Sequence, residues 1–483
     1  MAYFHGVHTS EQATSVLAPV QVAAGLPVII GTAPVHLAED GAVNTPVICY
    51  SYQEAVSQLG YSKDWASYTL CEAIYSEFQL YAVAPVIFIN VLDPTKHKTA
   101  VTDSTGHSVS KEKTVTLTDP VILSTLQVKP SAEGTAATAE TDYVAAYDDD
   151  GNCVITILED GTLGEAETVY CDYDKVDPSA VTSDDIIGGV GSDGNTTGLE
   201  LINNVYPMLA QVPGLLLAPG WSEDPEIMAV MVAKASNING LFKCLVLTDI
   251  NTAQVKKYAD VNMWKNGNNY TGTDQVVCWP MVRQGDDIYH LSTALAGVIG
   301  VTDSNNGDVP YKSPSNERLQ ATGLCLTDGT EVVLGLEQAN LLNSQGICTG
   351  LNFNGGWKTW GNFTGCYPGN TDVKDMYIAV RRMFNWDAAT FILTIWQMVD
   401  KPLTKRFVQT VVDTEQIRLN GLVSRGFLLG ARVEYREDEN PVTDMLNGIF
   451  RIHKYFTPPV PAQEIEEIAE YDVDNLQSLF ETA

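Results

Sequence analysis

A glycine-rich stretch is the first place where this chain could bind a ligand. Residues 189–194 read Gly-Val-Gly-Ser-Asp-Gly and match the G-x-G-x-x-G pattern of dinucleotide-binding loops. Asp184 and Asp185 precede the pattern and Asp193 lies inside it, so a pyrophosphate would be repelled. We therefore interpret this stretch as a flexible linker that closes an inserted segment.

An acidic turn is a second candidate site. Residues 148–151 read Asp-Asp-Asp-Gly, and clustered carboxylate oxygens attract hard cations such as calcium. The stretch lacks the spaced aspartates and the distal glutamate of an EF-hand loop. It favours a hairpin turn with a solvated acidic tip over a metal site.

The histidines and hydroxyl groups form no recognisable catalytic pattern. No His-x-x-x-His or His-Glu-x-x-His pair occurs, and no phosphate-binding G-x-x-x-x-G-K is present. Residues 220–223, Gly-Trp-Ser-Glu, lack the second glycine of a nucleophile elbow. The sequence therefore predicts no enzyme, no metal and no cofactor. The histidines are His5, His8, His36, His97, His107, His290 and His453.

Two tryptophans beside glycines form an aromatic pattern. Trp357 and Trp360 could stack a sugar ring. Aromatic residues near glycines more often anchor a tight loop to a core, and we predict that packing role.

A basic helix face is the remaining candidate. Lys405, Arg406 and Gln409 lie on one side of a predicted helix over 403–419, shortly after Lys401, and the apolar residues fall on another side. Such a face is usually only solvated. In a chain this acidic, a basic helix face also indicates a surface that binds a partner. The residues alone do not decide between a solvated face and a binding surface.

The composition limits the possible partners. The chain has 483 residues with 28 Lys+Arg against 60 Asp+Glu, a formal net charge of −32. Phosphate repels such a chain, which argues against nucleic acid and anionic membranes as partners. Hydrophobic residues make up 45%, enough for a large core, and the length suggests roughly two to four domains. No segment approaches the roughly 18–20 apolar residues of a membrane span, and no signal peptide is predicted.

The cysteines indicate the redox state of the chain, and the uneven distribution of charge indicates its division into domains. Nine scattered cysteines without a Cys-x-x-Cys spacing predict reduced, mostly buried thiols in a cytoplasmic product. Residues 101–200 hold 20 acids and 4 lysines, residues 371–456 hold 12 basic and 11 acidic side chains, and residues 462–483 hold seven acids and no base. We predict an N-terminal arm (1–20), an α/β core domain (21–95 plus 191–344), an inserted acidic β-rich outer domain (96–190), a C-terminal α+β domain (345–457) and a C-terminal arm (458–483).

Strands and helices alternate on both sides of the insertion, as in βαβ units around a mixed or parallel sheet. Predicted core strands cover 25–33, 84–92, 214–218, 241–249 and 275–282. Predicted core helices cover 52–59, 65–80, 199–210, 224–236 and 253–261. Asp-Gly turns predict hairpins in the insertion. Near the C-terminus we predict helices over 373–383, 388–399 and 403–419, the last stopped by Asn420-Gly421, then strands over 427–435 and 448–456. A Pro-Pro-Val-Pro hinge follows at 458–461.

Short motifs in a fixed order resemble one known family. They are Leu-Ala-Pro-Gly-Trp-Ser (217–222), Lys-Ser-Pro-Ser-Asn (312–316), Leu-Asn-Ser-Gln-Gly-Ile (342–347), Trp-Gly-Asn-Phe-Thr (360–364), Asp-Lys-Pro (400–402) and Phe-Thr-Pro-Pro-Val-Pro (456–461). In this order and spacing the chain resembles the tail sheath proteins of contractile phage tails and R-type bacteriocins. The insertion carries no matching motif.

The resemblance implies a non-enzymatic subunit that polymerises around an inner tube in an extended, metastable state and contracts to drive the tube through a cell envelope. Terminal arms would link neighbouring copies by strand exchange, with Lys401, Lys405, Arg406 and Gln409 facing the tube. Further partners would be baseplate and tail terminator proteins. Assembly would take place in the bacterial host cytoplasm, and the product would be a virion tail or an extracellular contractile particle. The arm side chains expected to contact a neighbour are Val7, Ile465, Ile468, Val473, Leu476, Leu479 and Phe480.

Two other classes are compatible with the composition. An acidic α/β enzyme would need convergent polar groups at the carboxyl ends of its strands, and the sequence does not reveal such a set. A surface-layer lattice protein would carry an export signal, which we do not find.

Overall fold

A computed structural model describes residues 20, 22–192, 194–473 and 475–476. Its strands are β1 (Pro27–Gly31), β2 (Val47–Cys49), β3 (Val86–Asn90), β4 (Lys98–Val101), β5 (His107–Ser108), β6 (Thr114–Leu117), β7 (Gln127–Lys129), β8 (Tyr143–Tyr147), β9 (Cys153–Ile157), β10 (Thr168–Val176), β11 (Gly189–Val190), β12 (Thr196–Thr197), β13 (Leu215–Leu217), β14 (Leu245–Asp249), β15 (Gln275–Cys278), β16 (Met281–Gln284), β17 (Asp287–Tyr289), β18 (Gly323–Cys325), β19 (Ile347–Asn352), β20 (Trp357–Trp360), β21 (Gly430–Glu434) and β22 (His453–Thr457).

The helices alternate with these strands on both sides of the acidic insertion. They are α1 (Tyr52–Leu59), α2 (Thr69–Tyr75), α3 (Ser183–Ile187), α4 (Ile202–Leu209), α5 (Pro225–Ala235), α6 (Tyr258–Gly267), α7 (Leu291–Ser304), α8 (Leu336–Asn343), α9 (Val373–Met376), α10 (Ile378–Ile395), α11 (Lys405–Ser424) and α12 (Val442–Leu446). A π-helical turn, Ser76–Leu80, continues α2.

Within the described residues, eight strands form the largest sheet, in the order β2-β3-β1-β13-β14-β15-β19-β20. The six central strands run parallel, and β2 and β20 pair antiparallel at the two edges. Strands β1, β3, β13, β14 and β15 are buried at every residue, as parallel strands covered on both faces must be. This confirms the predicted mixed-sheet α/β core.

The acidic insertion folds as small antiparallel sheets with a core of their own. One sheet joins β4, β10 and β5, with β7 also on β10, and another has the order β6-β9-β8. Their buried residues form a hydrophobic cluster between Val115 and Tyr173 that is separate from the main core. The acidic turn at 148–151 joins β8 to β9, as predicted, with Gly151 at a φ of +81°.

The end of the insertion belongs to the main core. Ile186 of α3 is fully buried in the main hydrophobic cluster, together with Val176 and Val181. The division into domains stays a prediction, and these contacts favour a border near residue 177 over one at 190. The predicted linker after it is ordered as a hairpin, because β11 pairs with β12.

Four predicted helices differ from the structure. The gap predicted between the helices at 373–383 and 388–399 does not exist, because residues 384–387 lie inside α10. Two polar side chains in this stretch have partners elsewhere in the fold. Asn385 Nδ2 donates to Asp274 Oδ1 over 2.7 Å, and Asp387 is ion-paired. The helix predicted over 253–261 is wrong, and α6 begins at Tyr258. Asn251 Oδ1 instead accepts the N–H groups of residues 253 and 254 and holds them in a turn.

The predicted stop of α11 at Asn420-Gly421 is also wrong. The helix continues to Ser424, since Leu422 is still buried, and the left-handed glycine after it is Gly426, with a φ of +78°. The strand predicted over 275–282 is interrupted at Trp279-Pro280, where proline offers no N–H to a ladder.

The last two strands form a separate small sheet. β21 and β22 pair antiparallel, and β21 packs on α11. All nine cysteines are buried and unpaired, as predicted, and burial raises the pKa of Cys71 to about 12. No helix of the described chain is both long and apolar enough to span a membrane.

Candidate interaction surfaces

The predicted tube-facing side chains lie at the start of α11 and just before it. We call Lys401, Lys405, Arg406 and Gln409 the basic turn. Thr404 caps this helix, because its Oγ1 accepts the N–H of Phe407 over 3.1 Å. Lys405 and Arg406 fill the first helical turn, which contains no acidic residue. The N-terminal end of a helix carries partial positive charge, so two cations there are locally unfavourable. This conflict marks the turn as a surface that an external anion would stabilise.

The side chains of the basic turn are exposed and available. All four residues are exposed. Gln409 Nε2 donates to Asp413 Oδ1 over 2.8 Å, and none of the three cations forms an ion pair within the described part of the chain. That they contact a tube stays a prediction.

Two exposed apolar side chains precede the basic turn. Trp396 and Val399, after the end of α10, are each 58% exposed. Sequence reasoning placed them in a helix and missed their exposure. The available signal was Asp400-Lys-Pro402 directly after them, because a proline there predicts that the helix ends nearby.

A buried ion-pair cluster fixes α10, α11 and β22 to one another; it comprises Asp387, Glu415, Arg418 and Lys454. Arg418 Nη2 lies 2.6 Å from Glu415 Oε1 and also pairs with Asp387. Lys454 Nζ lies 3.0 Å from Glu415 Oε1 and also pairs with Asp387. Burial opposes ionisation of Glu415, but the hydrogen bonds of Arg418 and the charge of Lys454 prevail and lower its pKa. Two cations thus balance two anions at the centre of the C-terminal region.

Side chains of helix α10 are hydrogen-bonded to the main chain of the residues that precede β1. The N–H of Val20 donates to Thr394 Oγ1 over 3.1 Å, and Trp386 Nε1 donates to the carbonyl of Val22 over 2.8 Å. Arg382 donates to the carbonyl of Ala24 and pairs with buried Asp303. The root of the N-terminal arm therefore lies along α10. Val7 and most of that arm lie outside the described residues.

The C-terminal arm leaves the body as an exposed segment. Residues 458–472 contain no helix or strand, and residues 462–473 are all exposed. Their apolar side chains are in water: Ile465 is 90% exposed, Ile468 87%, Val473 63% and Leu476 43%. Leu479 and Phe480 lie outside the described residues. An acidic segment with this many exposed apolar groups needs a partner to bury them.

A polar cluster at the carboxyl edge of the large sheet is the feature nearest to an active site. His290 Nδ1 lies 3.0 Å from both carboxylate oxygens of Glu72, and Ser292 Oγ donates to Asp249. Burial opposes protonation of His290, but the charge of Glu72 and the bond to Glu223 outweigh it and raise the pKa of His290 well above its usual range. Burial raises the pKa of Asp249 to about 6.

The polar groups of this cluster are hydrogen-bonded to one another. Ser222 is fully buried and its Oγ accepts the N–H of Asp249, while Thr293 Oγ1 donates to Glu72 over 2.6 Å. These bonds hold the start of α7 and α2 to the sheet. Sequence reasoning missed the set because its members are spread over more than 200 residues.

The remaining sequence candidates are structural. Trp357 packs half-buried against the main core, and Trp360 Nε1 donates to Asn340 Oδ1 over 2.9 Å, which agrees with the predicted packing role. In the described chain, no group of three His, Cys, Asp or Glu side chains is placed to hold a metal ion.

Comparison with known proteins gives matches over most or nearly all of the chain. No protein-family model matches the chain. The tail sheath protein of Burkholderia phage BcepMu is 28% identical over 488 residues, covering 99% of this chain and 98% of that protein. The tail sheath protein of Escherichia phage P2 is 24% identical over 368 residues, covering 73% of this chain and 85% of that protein.

Solved structures share the fold. The sheath of the PVC extracellular contractile injection system, in its contracted state, matches with a TM-score of 0.58 at 14% identity, covering 98% of this chain and 99% of that one. The contracted helical sheath of the anti-feeding prophage matches with a TM-score of 0.57 at 16% identity, covering 97% of this chain and 99% of that one. Together with the curated relatives and the ordered motifs, these matches confirm the resemblance. The chain is therefore similar over nearly its whole length to a phage tail sheath protein, and it shares the fold of contractile sheaths.

Proposed function

We propose that this subunit polymerises around an inner tube in an extended, metastable state and contracts to drive the tube through a target cell envelope. Its role is structural and not enzymatic. The observation that carries the proposal is the C-terminal arm, which projects from the body with its apolar side chains exposed. Such a segment gains stability only when another surface covers it.

The arms would link each subunit to its neighbours. Main-chain hydrogen bonds between an arm and a neighbour's sheet edge bind strongly, while the linkers outside the sheet can bend as the sheath shortens. The linkage is head-to-tail, which builds open helical assemblies. Pro458–Pro461 stiffens the exit of the arm and directs it away from its own body.

The basic turn would face the tube. Surface charge pairs contribute about 0–1 kcal/mol each and determine orientation more than affinity. Weak contacts of this kind suit a sheath that must slide off its tube during contraction. Trp396 and Val399 add apolar area beside the same surface.

The other partners and the site of assembly are those that the family resemblance implies. The sheath would end on a baseplate and on a tail terminator protein, would assemble in the cytoplasm of a bacterial host, and would leave it as part of a virion tail or an extracellular contractile particle. The acidic insertion would lie on the outer surface, away from the tube.

Truncation after Pro461 tests the proposal. We expect a soluble protein with an unchanged melting temperature and no tubes or rings in electron micrographs. A matched control replaces residues 462–483 with a glycine–serine segment of equal length, and it should also fail to assemble. Normal sheath from either variant would contradict the proposal, and an unfolded truncated protein would show that the arm belongs to its own subunit's core.

A further inference from the structure

A cavity of about 200 Å³ lies beside the root of the N-terminal arm, between α10, α11 and the loop after α7. Four apolar side chains form much of its wall, and they are those of Val20, Val309, Trp386 and Leu422. An engineered apolar cavity of about 150 Å³ takes up benzene in another protein. The space is therefore large enough for a small organic group.

Two arginines carry the charge of the cavity wall. Arg418 and Arg425 line it, and no acidic side chain does so among the described residues. The chain as a whole has 60 acidic against 28 basic side chains. In so acidic a chain, a space lined by two cations and no anion favours a negatively charged group.

Arg418 reaches the wall from the buried ion-pair cluster. Its Nε and Nη2 donate to the two carboxylate oxygens of Glu415 over 2.9 and 2.6 Å, and Nη2 also donates to Asp387. The side chain is 6% exposed, yet Nη1 has no hydrogen-bond partner in the part of the chain that the structure describes. A buried donor without an acceptor is destabilising, so an acceptor added beside Nη1 would be favoured.

Arg425 gives the cavity its net positive charge. The ion-pair cluster contains two anions and two cations, so Arg418 adds no uncompensated charge. Arg425 is exposed, its Nε donates to the carbonyl of Gly421 over 3.3 Å, and its guanidinium lies 4.9 Å from the ring centre of Phe427. The ion pairs that arginines form among the described residues do not include Arg425.

Thr390 adds a hydroxyl group to the same wall. The residue is 3% exposed, and its Oγ1 also has no hydrogen-bond partner among the described residues. The wall thus combines two guanidinium groups and one hydroxyl with apolar side chains. A phosphate would leave oxygens against the apolar part, whereas an aliphatic carboxylate has two oxygens at one end and hydrocarbon at the other.

We propose that this cavity binds a carboxylate on a short aliphatic stem. Arg425 and Nη1 of Arg418 donate to the carboxylate oxygens, and the Thr390 hydroxyl donates a further bond. The stem packs against Trp386 and Leu422. Hydrogen bonds between charged groups are stronger than those between neutral groups, and a partly buried site strengthens them further. The ligand joins the loop after α7 to α10 and α11, and so links the α/β core to the C-terminal region.

Ligand-observed NMR on the full-length chain tests the ligand class, with sodium butyrate as the probe and butyramide as its uncharged counterpart. We expect butyrate to bind, and butyramide to bind at least about tenfold more weakly because it lacks the charge. Butyramide that binds as tightly as butyrate would show an apolar cavity without selection for carboxylate. Inorganic phosphate that binds more tightly than butyrate would overturn the choice of ligand.

Two substitutions locate the binding in the molecule. Arg425→Gln should weaken butyrate binding at least about tenfold, because a hydrogen bond between charged groups is lost. Thr390→Val should weaken it several-fold without lowering the melting temperature, since the hydroxyl that it removes has no partner among the described residues. Arg451→Gln is the matched control, because Arg451 is 50% exposed, pairs with Asp444 and does not line the cavity. Equal affinity of Arg425→Gln and Arg451→Gln for butyrate would overturn the site.

A glutamate side chain and a small free carboxylate share this chemistry. Glu11 is the only acid among residues 1–19, and Val20, directly after that segment, lines the cavity. If Glu11 supplies the carboxylate, the Glu11→Gln variant binds butyrate more tightly than the parent, because the competing group is gone. If a free carboxylate supplies it, the two proteins bind butyrate equally. Binding of butyrate to neither protein would overturn the proposal.

Discussion

The main-chain N–H of Asp177 donates a 2.9 Å hydrogen bond to the carbonyl oxygen of His97. The β insertion therefore leaves and re-enters the body at adjacent points. Between them it forms its own hydrophobic cluster.

Removal of residues 98–176 should leave a folded, assembling protein. A short glycine–serine linker can join His97 to Asp177 without moving either, since the two residues already touch. Both deletions remove Val176 at the border, and the control, a longer deletion that joins Pro94 to Thr197, also removes Val181 and Ile186 of the main cluster. We expect only the longer deletion to lower the melting temperature and abolish tubes in micrographs. Equal behaviour of the two variants would contradict the border near residue 177.

Arg418→Met should destabilise the C-terminal region strongly. It leaves Asp387 and Glu415 buried with Lys454 as their only cation among the described residues, and breaking a buried ion pair typically costs about 3–5 kcal/mol. Arg451→Met is the matched control, because Arg451 pairs with Asp444 at the surface and is 50% exposed. That change should cost less than about 1 kcal/mol. Calorimetric unfolding compares them, and equal losses would contradict the role of the cluster.

Glu77 should make stability fall as the pH rises. It is buried in the π-helical turn, neither carboxylate oxygen has a hydrogen-bond partner among the described residues, and burial raises its pKa well above 4.5. Above pH 4.5 the unfolded chain loses this proton while the folded chain keeps it, so folding becomes less favourable with increasing pH.

Glu77→Gln removes this dependence. Its melting temperature should match the parent near pH 4 and exceed it increasingly towards pH 8. Glu337→Gln, at an exposed position, should show no such pH-dependent difference. A constant offset between Glu77→Gln and the parent at all pH values would exclude the buried proton as the cause.

Reversing the basic turn should weaken tube binding while leaving the fold at least as stable. Lys405→Glu with Arg406→Glu places acids at the helix N-terminus, where each contributes about 0.3–1 kcal/mol of stability. Co-sedimentation with the tube should decrease. Lys243→Glu with Lys257→Glu makes the same charge change at exposed positions elsewhere. Equal loss in both double variants would indicate a general charge effect and not a local contact.

The parts of the fold that depend on local pattern could be predicted. Helix α1 has its predicted bounds of 52–59, because Ser51 caps it and Gly60 ends it. The buried strands were recognisable as apolar runs between glycine and proline. These signals lie within a few residues of the element that they describe.

The errors arise where a distant residue decides the local structure. Asp387 looks like a helix break until Arg418 and Lys454 are brought to it by the fold. Gly421 resembles a helix stop in the sequence, but it lies inside α11, because Leu422 after it is still buried in the core. The arms and the basic turn could be proposed as candidates from the sequence, because charge and apolar content are read from it directly. The hydrogen bond from the N–H of Val433 in β21 to Gln416 of α11 was not predictable, since it joins two elements whose packing the pattern does not specify.

The neighbouring positions of His97 and Asp177 also have a genetic consequence. Codons 98–176 form one uninterrupted cassette whose two junctions coincide in space. Such a cassette can be exchanged, lengthened or lost by a single recombination event, with no codon of the large sheet altered. Because every copy in a sheath would carry it, one event would change the surface of the particle along the whole sheath.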